Sequence, residues 1–330
     1  MKIKNKLWSY LLIFLIILGV LSFLFINKTI DIEIGSTFFE EKEDVVFNNN
    51  NNFYWISAVI DNHNYAYPQF GLSRADIVYD IPAEGGINRY LAFFRSDLEG
   101  DFKIGPIRSA RPYFLDIAKD YDSLLLHCGG SPEALARIAK EKLNTLNEFY
   151  NSYYFERYSA YRSPHNLLAD FSKIKEYLEK KELGVSDFSH WNFKENNLVI
   201  GDDFSVGVKN INSGVWQAKW EYDQDNNCYN KKKSSDDYKD DDGVIIRANN
   251  LVFQFVDSQI LDEVLRLKID LVGEGEAIVC NKARCQEVDW KKKSDGGTVY
   301  YIDEEEFVFS PGKTWIHLIN KQSSINFSNN

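Results

Sequence analysis

The sequence predicts an α+β fold: an N-terminal mixed α/β domain followed by a mainly antiparallel β domain, behind one N-terminal transmembrane helix. Three observations carry this expectation. Leu7 to Ile26 is a charge-free apolar run of about 20 residues, long enough to cross a hydrocarbon core of roughly 30 Å. The next stretch interleaves short β-rich runs with amphipathic segments. From about Val185 the pattern becomes a succession of short strands with few helical stretches.

The elements follow in order. Lys2, Lys4 and Lys6 precede the apolar run and Asp31 and Glu33 follow it, so residues 1–6 are expected in the cytoplasm, 7–26 as a signal anchor, and everything after Asn27 outside. A cleaved signal peptide is the rival reading. Against it, the run exceeds a usual h-region and no small-x-small site follows. No cysteine near its end offers a lipid attachment point. Residues 27–52 are polar and end in five asparagines, Asn48 to Asn52, a composition that reads as a linker because it buries too little apolar surface to fold.

Residues 53–184 are expected to form the α/β domain. Tyr54–Ile60, Asp76–Ile81 and Ile87–Phe94 read as strands, separated by turns carrying Pro68, Gly71 and Gly85-Gly86. A helix is expected from Pro112 to about Lys119, then a buried strand Leu124–His127 ended by Gly129-Gly130. Ser131-Pro132-Glu133 opens another helix with an N-cap, a first-turn proline and a first-turn acid; Leu135, Ile138 and Ala139 supply its apolar face. A third helix is expected from Asp170 to Lys181, with Phe171, Ile174 and Leu178 on one side.

Residues 185–320 read as the β domain and 321–330 as a tail. Its expected strands are Leu198–Ile200, Phe204–Val208, Val215–Tyr222, Val244–Ile246, Leu251–Val256, Ile269–Val272, Ala277–Cys280, Val299–Ile302 and Phe307–Phe309, with Ile260–Leu267 ambiguous. The charged run Lys231–Asp242, KKKSSDDYKDDD, reads as a solvated loop. An oxidising exterior would let Cys280 and Cys285 pair across a hairpin loop. A metal site there would need further ligands, none evident. Asp223, Asp225 and Asn227 begin like a calcium loop, but Cys228 and Ser234 stand where it needs glycine and a bidentate acid.

A formal net charge of −11 repels nucleic acid and argues against a nucleic-acid binder. No P-loop, G-x-S-x-G elbow, H-E-x-x-H or dinucleotide fingerprint is present. The stretch with the clearest chemistry is Ile104–Pro112, IGPIRSARP. It sets Arg108 and Arg111 in a Gly/Pro turn before a helix, where backbone N–H groups, a helix dipole and two guanidinium forks suit a phosphate, sulfate or carboxylate.

An ordered set of motifs then identifies a resemblance. Ile60-Asp61-Asn62-His63, Pro68-Gln69-x-Gly71-Leu72, Ala75-Asp76-Ile77-Val78-Tyr79, Glu84-Gly85-Gly86-Ile87-Asn88-Arg89, Gly105-Pro106-Ile107-Arg108-Ser109-Ala110-Arg111, His127-x-Gly129-Gly130-Ser131 and Pro164-His165-Asn166 resemble the YerB-like bacterial envelope proteins of the DUF3048 family. Trp290-Lys291-Lys292 and Pro311-Gly312-x-Thr314-Trp315-Ile316 look like that family's C-terminal β domain. The resemblance covers about Phe53 to Ile319 and implies a membrane-anchored, extracytoplasmic protein of uncharacterised biochemistry. Asn88 and Asp80 depart from the family's usual threonine and glutamate, each keeping a polar group. The anchor likewise departs from the lipid-modified cysteine of many relatives.

Motif residues concentrate in the first half. If Asp76–Ile81, Ile87–Phe94 and Leu124–His127 share one sheet, their ends bring Glu84, Arg89, Arg108, Arg111 and His127 to one edge as a candidate ligand site, with Asp61, His63, Asp80, Ser109, His165 and Asn166 in support. The competing reading is a structural ion-pair network in which Glu84, Asp80 and Asp76 neutralise the arginines. His127 at a strand end before Gly-Gly is more often a satisfied structural histidine than a ligand or catalytic group, and Ser131 reads as an N-cap rather than a nucleophile. Three functions are compatible with this. One is binding of an anionic cell-wall or lipid-linked ligand without chemistry. A second is a phosphotransferase or hydrolase on such a ligand, an order of elements similar to the LytR-CpsA-Psr phosphotransferases. The third is a platform for a protein partner. Whether the protein is an enzyme, and which cofactor or metal it takes, the sequence does not assign.

Overall fold

In a computed structural model of the chain, the described residues are 53–186, 191–194, 204–209 and 216–329. The expected anchor Leu7–Ile26, the linker and the strand Leu198–Ile200 lie outside them. Among the described residues, no helix is long and apolar enough to cross a membrane.

The architecture is mostly β and corrects the α+β expectation. A 12-stranded mixed sheet runs through both halves of the chain. In spatial order its main path is Glu305–Glu306, Val299–Ile302, Arg284–Lys292, Gly273–Asn281, Asn250–Ile260, Thr314–Asn320, Ile77–Pro82, Asn88–Arg95, Trp55–Asp61, Leu124–His127 and Thr145–Asn147. The second half is therefore split: Asn250–Ile260 and Thr314–Asn320 join the first-half strands in this mixed sheet, and most of the remaining strands form an antiparallel sheet of their own. Thr314–Asn320 inserts between the halves and runs parallel to both neighbours, pairing Trp315 with Leu251 on one side and with Val78 on the other. Its sequence TWIHLIN is buried through His317 and Ile319, as a central strand covered on both faces requires.

Trp55–Asp61 is likewise buried at every position. Its odd residues Trp55 and Val59 join Ile77, Phe93 and Ile316 under the helix Pro112–Asp120, which contributes Phe114, Ile117 and Ala118. Its even residues Ile56, Ala58 and Ile60 join Val78, Tyr90 and Trp315 on the opposite face. There they meet the helix Phe171–Lys180 and a six-stranded sheet through Trp220, Tyr229 and Ala248. That second sheet contains Asp236–Asp237, Cys228–Lys233, Trp216–Asp223, Phe204–Lys209 and Ser324–Asn329, with Arg247–Ala248 beside Cys228–Lys233.

The three α-helices among the described residues start where their caps place them. Pro112 opens the first, Ser131 Oγ accepts from Ala134 N–H at 3.2 Å to cap the second, Pro132–Glu141, and Asp170 Oδ1 accepts from Lys173 N–H at 3.2 Å to cap the third. The apolar face of the second differs from expectation, with Ala134 buried and Leu135 exposed. Cys280 and Cys285 form a disulfide as directly opposed residues of the hairpin Gly273–Asn281/Arg284–Lys292. The charged run is not a solvated loop. Cys228–Lys233 is a strand, and Lys231, Tyr238 and Asp240 are buried.

Candidate functional site

Ile104–Pro112 is less a turn than a strap laid across the ends of two strands. Asp61 N–H donates to Pro106 O, Arg108 N–H to Val59 O, Cys128 N–H to Arg108 O and Ala110 N–H to Gly129 O. The backbone is thus pinned to Trp55–Asp61 on one side and to the loop after Leu124–His127 on the other. Gly105 permits this, since a Cβ there would stand 2.8 Å from Leu167 O. Because the strap is held at every second residue, Arg108 and Arg111 leave it in fixed directions.

Glu84 arrives from the connection between two antiparallel neighbours, Ile77–Pro82 and Asn88–Arg95, and Arg89 from the start of the second of them. Gly85 and Gly86, at φ 72° and 73°, make the bend that holds Glu84 beside the strap. Glu84 Oε1 accepts from Arg111 Nε, and Oε2 lies 3.2 Å from Arg89 Nη2. Arg89 Nη1 donates to Ser109 O at 3.2 Å and Arg111 Nη1 to Ala110 O at 2.8 Å. Burial works to raise the Glu84 carboxyl. The bond from Arg111 and the charges of Arg111 and Arg89 override it, so it titrates below its ordinary value. Arg89 is held below its ordinary value by burial and then by the neighbouring charge of Arg111, with Arg108 adding to the effect.

A second group adjoins the first. Asp61, whose Cα is the cross-strand partner of Arg89, holds His165 Nδ1 at 2.7 Å and Arg108 Nε at 3.2 Å with its Oδ2, and accepts from His63 N–H with its Oδ1 at 2.9 Å. Arg108 Nη1 also donates to Pro164 O at 3.2 Å. The rings of His63 and His165 stack with centroids 4.3 Å apart, and exposed Tyr65 lies 5.0 Å from His63 and 5.9 Å from His165. On the other flank exposed Phe149 lies against Gly129. The two groups together hold three guanidinium groups against two carboxylates, Glu84 and Asp61.

Two buried polar atoms without hydrogen-bond partners among the described residues lie here, Tyr113 Oη and His127 Nε2, while Glu84 Oε2 and Arg108 Nε have ion-pair partners alone. His127 is buried, and its Nδ1 lies 2.7 Å from Gly129 O, the acceptor it shares with Ala110 N–H. With the proton on Nδ1, its Nε2 lone pair is free. Burial lowers the His127 pKa. The unfolded chain therefore takes up this proton first on acidification, from about 6.5 downward. Between about pH 7.5 and pH 5 the parent is expected to lose stability relative to His127→Gln, by at most about 1.4 kcal/mol per pH unit, read from urea midpoints across the range.

Not every expected residue belongs. Asp80 is on the opposite face of the sheet, bonded to Asn88 and beside Lys231 and His317, and Asp76 pairs with Arg95. Neither neutralises the three arginines. Asn166 accepts from Arg157 at 3.1 Å and orders its own loop. Ser109 contributes its backbone carbonyl. Tyr113, missed in the sequence, is the first residue after Arg111-Pro112; that adjacency was its one signal. The larger clefts lie elsewhere. One of about 410 Å³ touches Gly85, Gly86 and Asn88 but has no charged residue in its lining.

The family models for "Protein of unknown function (DUF3048)" match residues 48–186 with the N-terminal domain and 208–316 with the C-terminal domain. The chain belongs to the DUF3048 family. A relative from Bacillus subtilis (strain 168), named "Putative lipoprotein YerB", is 30% identical over 274 residues, 80% of each chain. The crystal structure of the YerB protein from Bacillus subtilis matches with a TM-score of 0.73 at 28% identity, over 84% of this chain and 94% of that one. The two DUF3048 matches contribute strands to the same central sheet. Asp61, Glu84, Arg89, Arg108, Arg111, His127 and His165 all fall within the N-terminal match.

Proposed function

We propose that this DUF3048 protein is membrane-associated, with its folded part outside, and binds an anionic ligand of the cell envelope through Arg89, Arg108 and Arg111. Family membership and the lipoprotein description in the name of the Bacillus relative support the location. The observation that carries the ligand is the charge inventory: three crowded guanidinium groups face two carboxylates, beside the unpartnered Tyr113 Oη and His127 Nε2. A phosphate or carboxylate supplies the missing acceptor oxygens and relieves the repulsion on Arg89. Exposed Tyr65 and Phe149 on the flanks suit sugar rings or an isoprenoid chain next to that anion.

Titration of the detergent-solubilised chain with a polyprenyl phosphate and with wall glycopolymer fragments tests this reading. Saturable binding that weakens at least about tenfold in Arg108→Ala, equivalent to about 1.4 kcal/mol, is expected. Equal affinity in parent and variant would remove the site from this position.

One observation favours a second reading, that of a phosphotransferase or hydrolase on the same ligand. The Asp61–His165 bond orients an imidazole as a general base or acid is oriented in hydrolytic sites. Turnover of a polyprenyl diphosphate that disappears in His165→Asn while binding persists would select the enzyme. Binding without turnover selects the binder.

A further inference from the structure

Lys231 and Asp80 lie outside the site above, and their surroundings are unusual for an ion pair. Lys231 is 2% exposed, and its Nζ has no hydrogen-bond partner among the described residues, although an ammonium carries three donors. Nζ is instead boxed by rings, with centroids at 4.2 Å for Trp315, 4.9 Å for Trp220, 5.3 Å for Tyr90 and 5.7 Å for Tyr238. The nearest carboxylate oxygen of Asp80 is 3.7 Å away, too far for a hydrogen bond, so the amine and the carboxyl group stand side by side without being bonded.

Asp80 is prepared on both oxygens. Asn88 Nδ2 donates to Oδ1 at 2.7 Å, polarising that C=O bond. His317, the Cα partner of Asp80 on the parallel strand, places Nδ1 3.2 Å from Oδ2. Its Nε2 accepts from Trp220 Nε1 at 3.0 Å, which fixes the ring proton on Nδ1 and points it at Oδ2.

We infer that Lys231 and Asp80 react to form an intramolecular amide bond, joining the strand Cys228–Lys233 of the second sheet to the strand Ile77–Pro82 of the central sheet. The pair first exchanges a proton, giving a neutral amine and a carboxylic acid. The Lys231 Nζ lone pair attacks Cγ of Asp80 while Asn88 stabilises the charge on Oδ1. The proton released from Nζ passes to the Oδ2 hydroxyl, which leaves as water, while the Nδ1–H of His317 holds Oδ2 in position. The Nζ–Cγ bond forms and the Cγ–Oδ2 bond breaks. One water is released, and no oxidant or cofactor is needed. Burial, opposed by the charge of Asp80, brings the Lys231 ammonium down to about 8, while the bond from His317 and the charge of Lys231 hold the Asp80 carboxyl below its ordinary value against burial, so the neutral pair is a minor form and the bond forms slowly. The aromatic box excludes the water that would favour hydrolysis.

Intact-mass measurement of the reduced, purified full chain, with a tryptic peptide map, tests this. The expected parent is lighter than its sequence by one water. It is uncut after Lys231 and yields a branched peptide that joins Lys231 to Asp80. Lys231→Met and Asp80→Ala are expected at full mass. His317→Phe keeps both reactants and an aromatic ring against Phe253, and is expected to be folded by circular dichroism with the bond absent or forming slowly. A parent of full mass with linear Lys231 and Asp80 peptides overturns the inference, as does a water loss mapped to any other residues. Bond formation in His317→Phe at the parent's rate overturns the role of His317.

Discussion

Asp80→Ala is expected to lower the unfolding free energy by about 3 to 5 kcal/mol. The carboxylate is 1% exposed and serves three neighbours at once: Lys231, His317 and Asn88. Burial works to raise its pKa, and the bond from His317, the charge of Lys231 and the bond from Asn88 bring it below its ordinary value instead. Taking it away strands an ammonium inside an aromatic box, whether the two groups meet as ions or as an amide. Denaturant unfolding reads the loss. Adding Lys231→Met to Asp80→Ala is expected to recover much of it, because an apolar side chain of similar length suits the ring-lined box. A double variant no more stable than Asp80→Ala would show that the loss comes from His317 and Asn88 rather than from the buried amine.

Glu84→Gln is the second large effect. It removes the carboxylate that bridges Arg89 and Arg111 and leaves the guanidinium groups facing one another with Asp61 alone in compensation. In chloride the variant is expected to be less stable by about 2 kcal/mol, since hydrogen bonds to charged groups are worth about that much. Inorganic phosphate at equal ionic strength is expected to restore more stability to the variant than to the parent, because an anion bound only by the folded state stabilises it by mass action. If the arginines form a closed structural network, phosphate would help parent and variant alike. Thermal melts in matched salts separate the two.

How much of this was legible in the sequence depends on the range of each interaction. Pro112, Ser131 and Asp170 mark their helices through local capping chemistry, and the strands Trp55–Asp61, Asn88–Arg95 and Leu124–His127 follow from apolar pattern and turn residues. The placement of Thr314–Asn320 between Asn250–Ile260 and Ile77–Pro82 had no local signal. Its parallel pairing with residues more than two hundred positions earlier is settled by burial of both faces, so two sequence halves became one sheet. Lys231 was hidden for a related reason. Three consecutive lysines read as solvated, and only the docking of the second sheet against Trp315 and Tyr90 puts the first of them inside.

The site divides in the same way. Arg108 and Arg111 were visible from their setting among glycine and proline, and Glu84 from the Gly-Gly bend beside it. The bond between Asp61 and His165 spans 104 positions and had no local signal; the ordered family motifs named both residues without pairing them. Asp80 was misplaced because strand alternation sends it to the face opposite Ile81, whose strand neighbour is Arg89.

The arginine cluster, as proposed, carries one positive charge more than its own carboxylates neutralise and holds an anion with it. Calorimetric titration of the full chain with a soluble short-chain polyprenyl phosphate, in parent and in Arg111→Ala, tests it most directly. Arg111→Ala leaves Glu84 to Arg89 and Asp61 to Arg108, so the surplus disappears. One saturable site is expected in the parent, with an affinity at least about tenfold weaker in the folded variant. A parent that binds no phosphate, or a variant that binds as tightly as the parent, would contradict it.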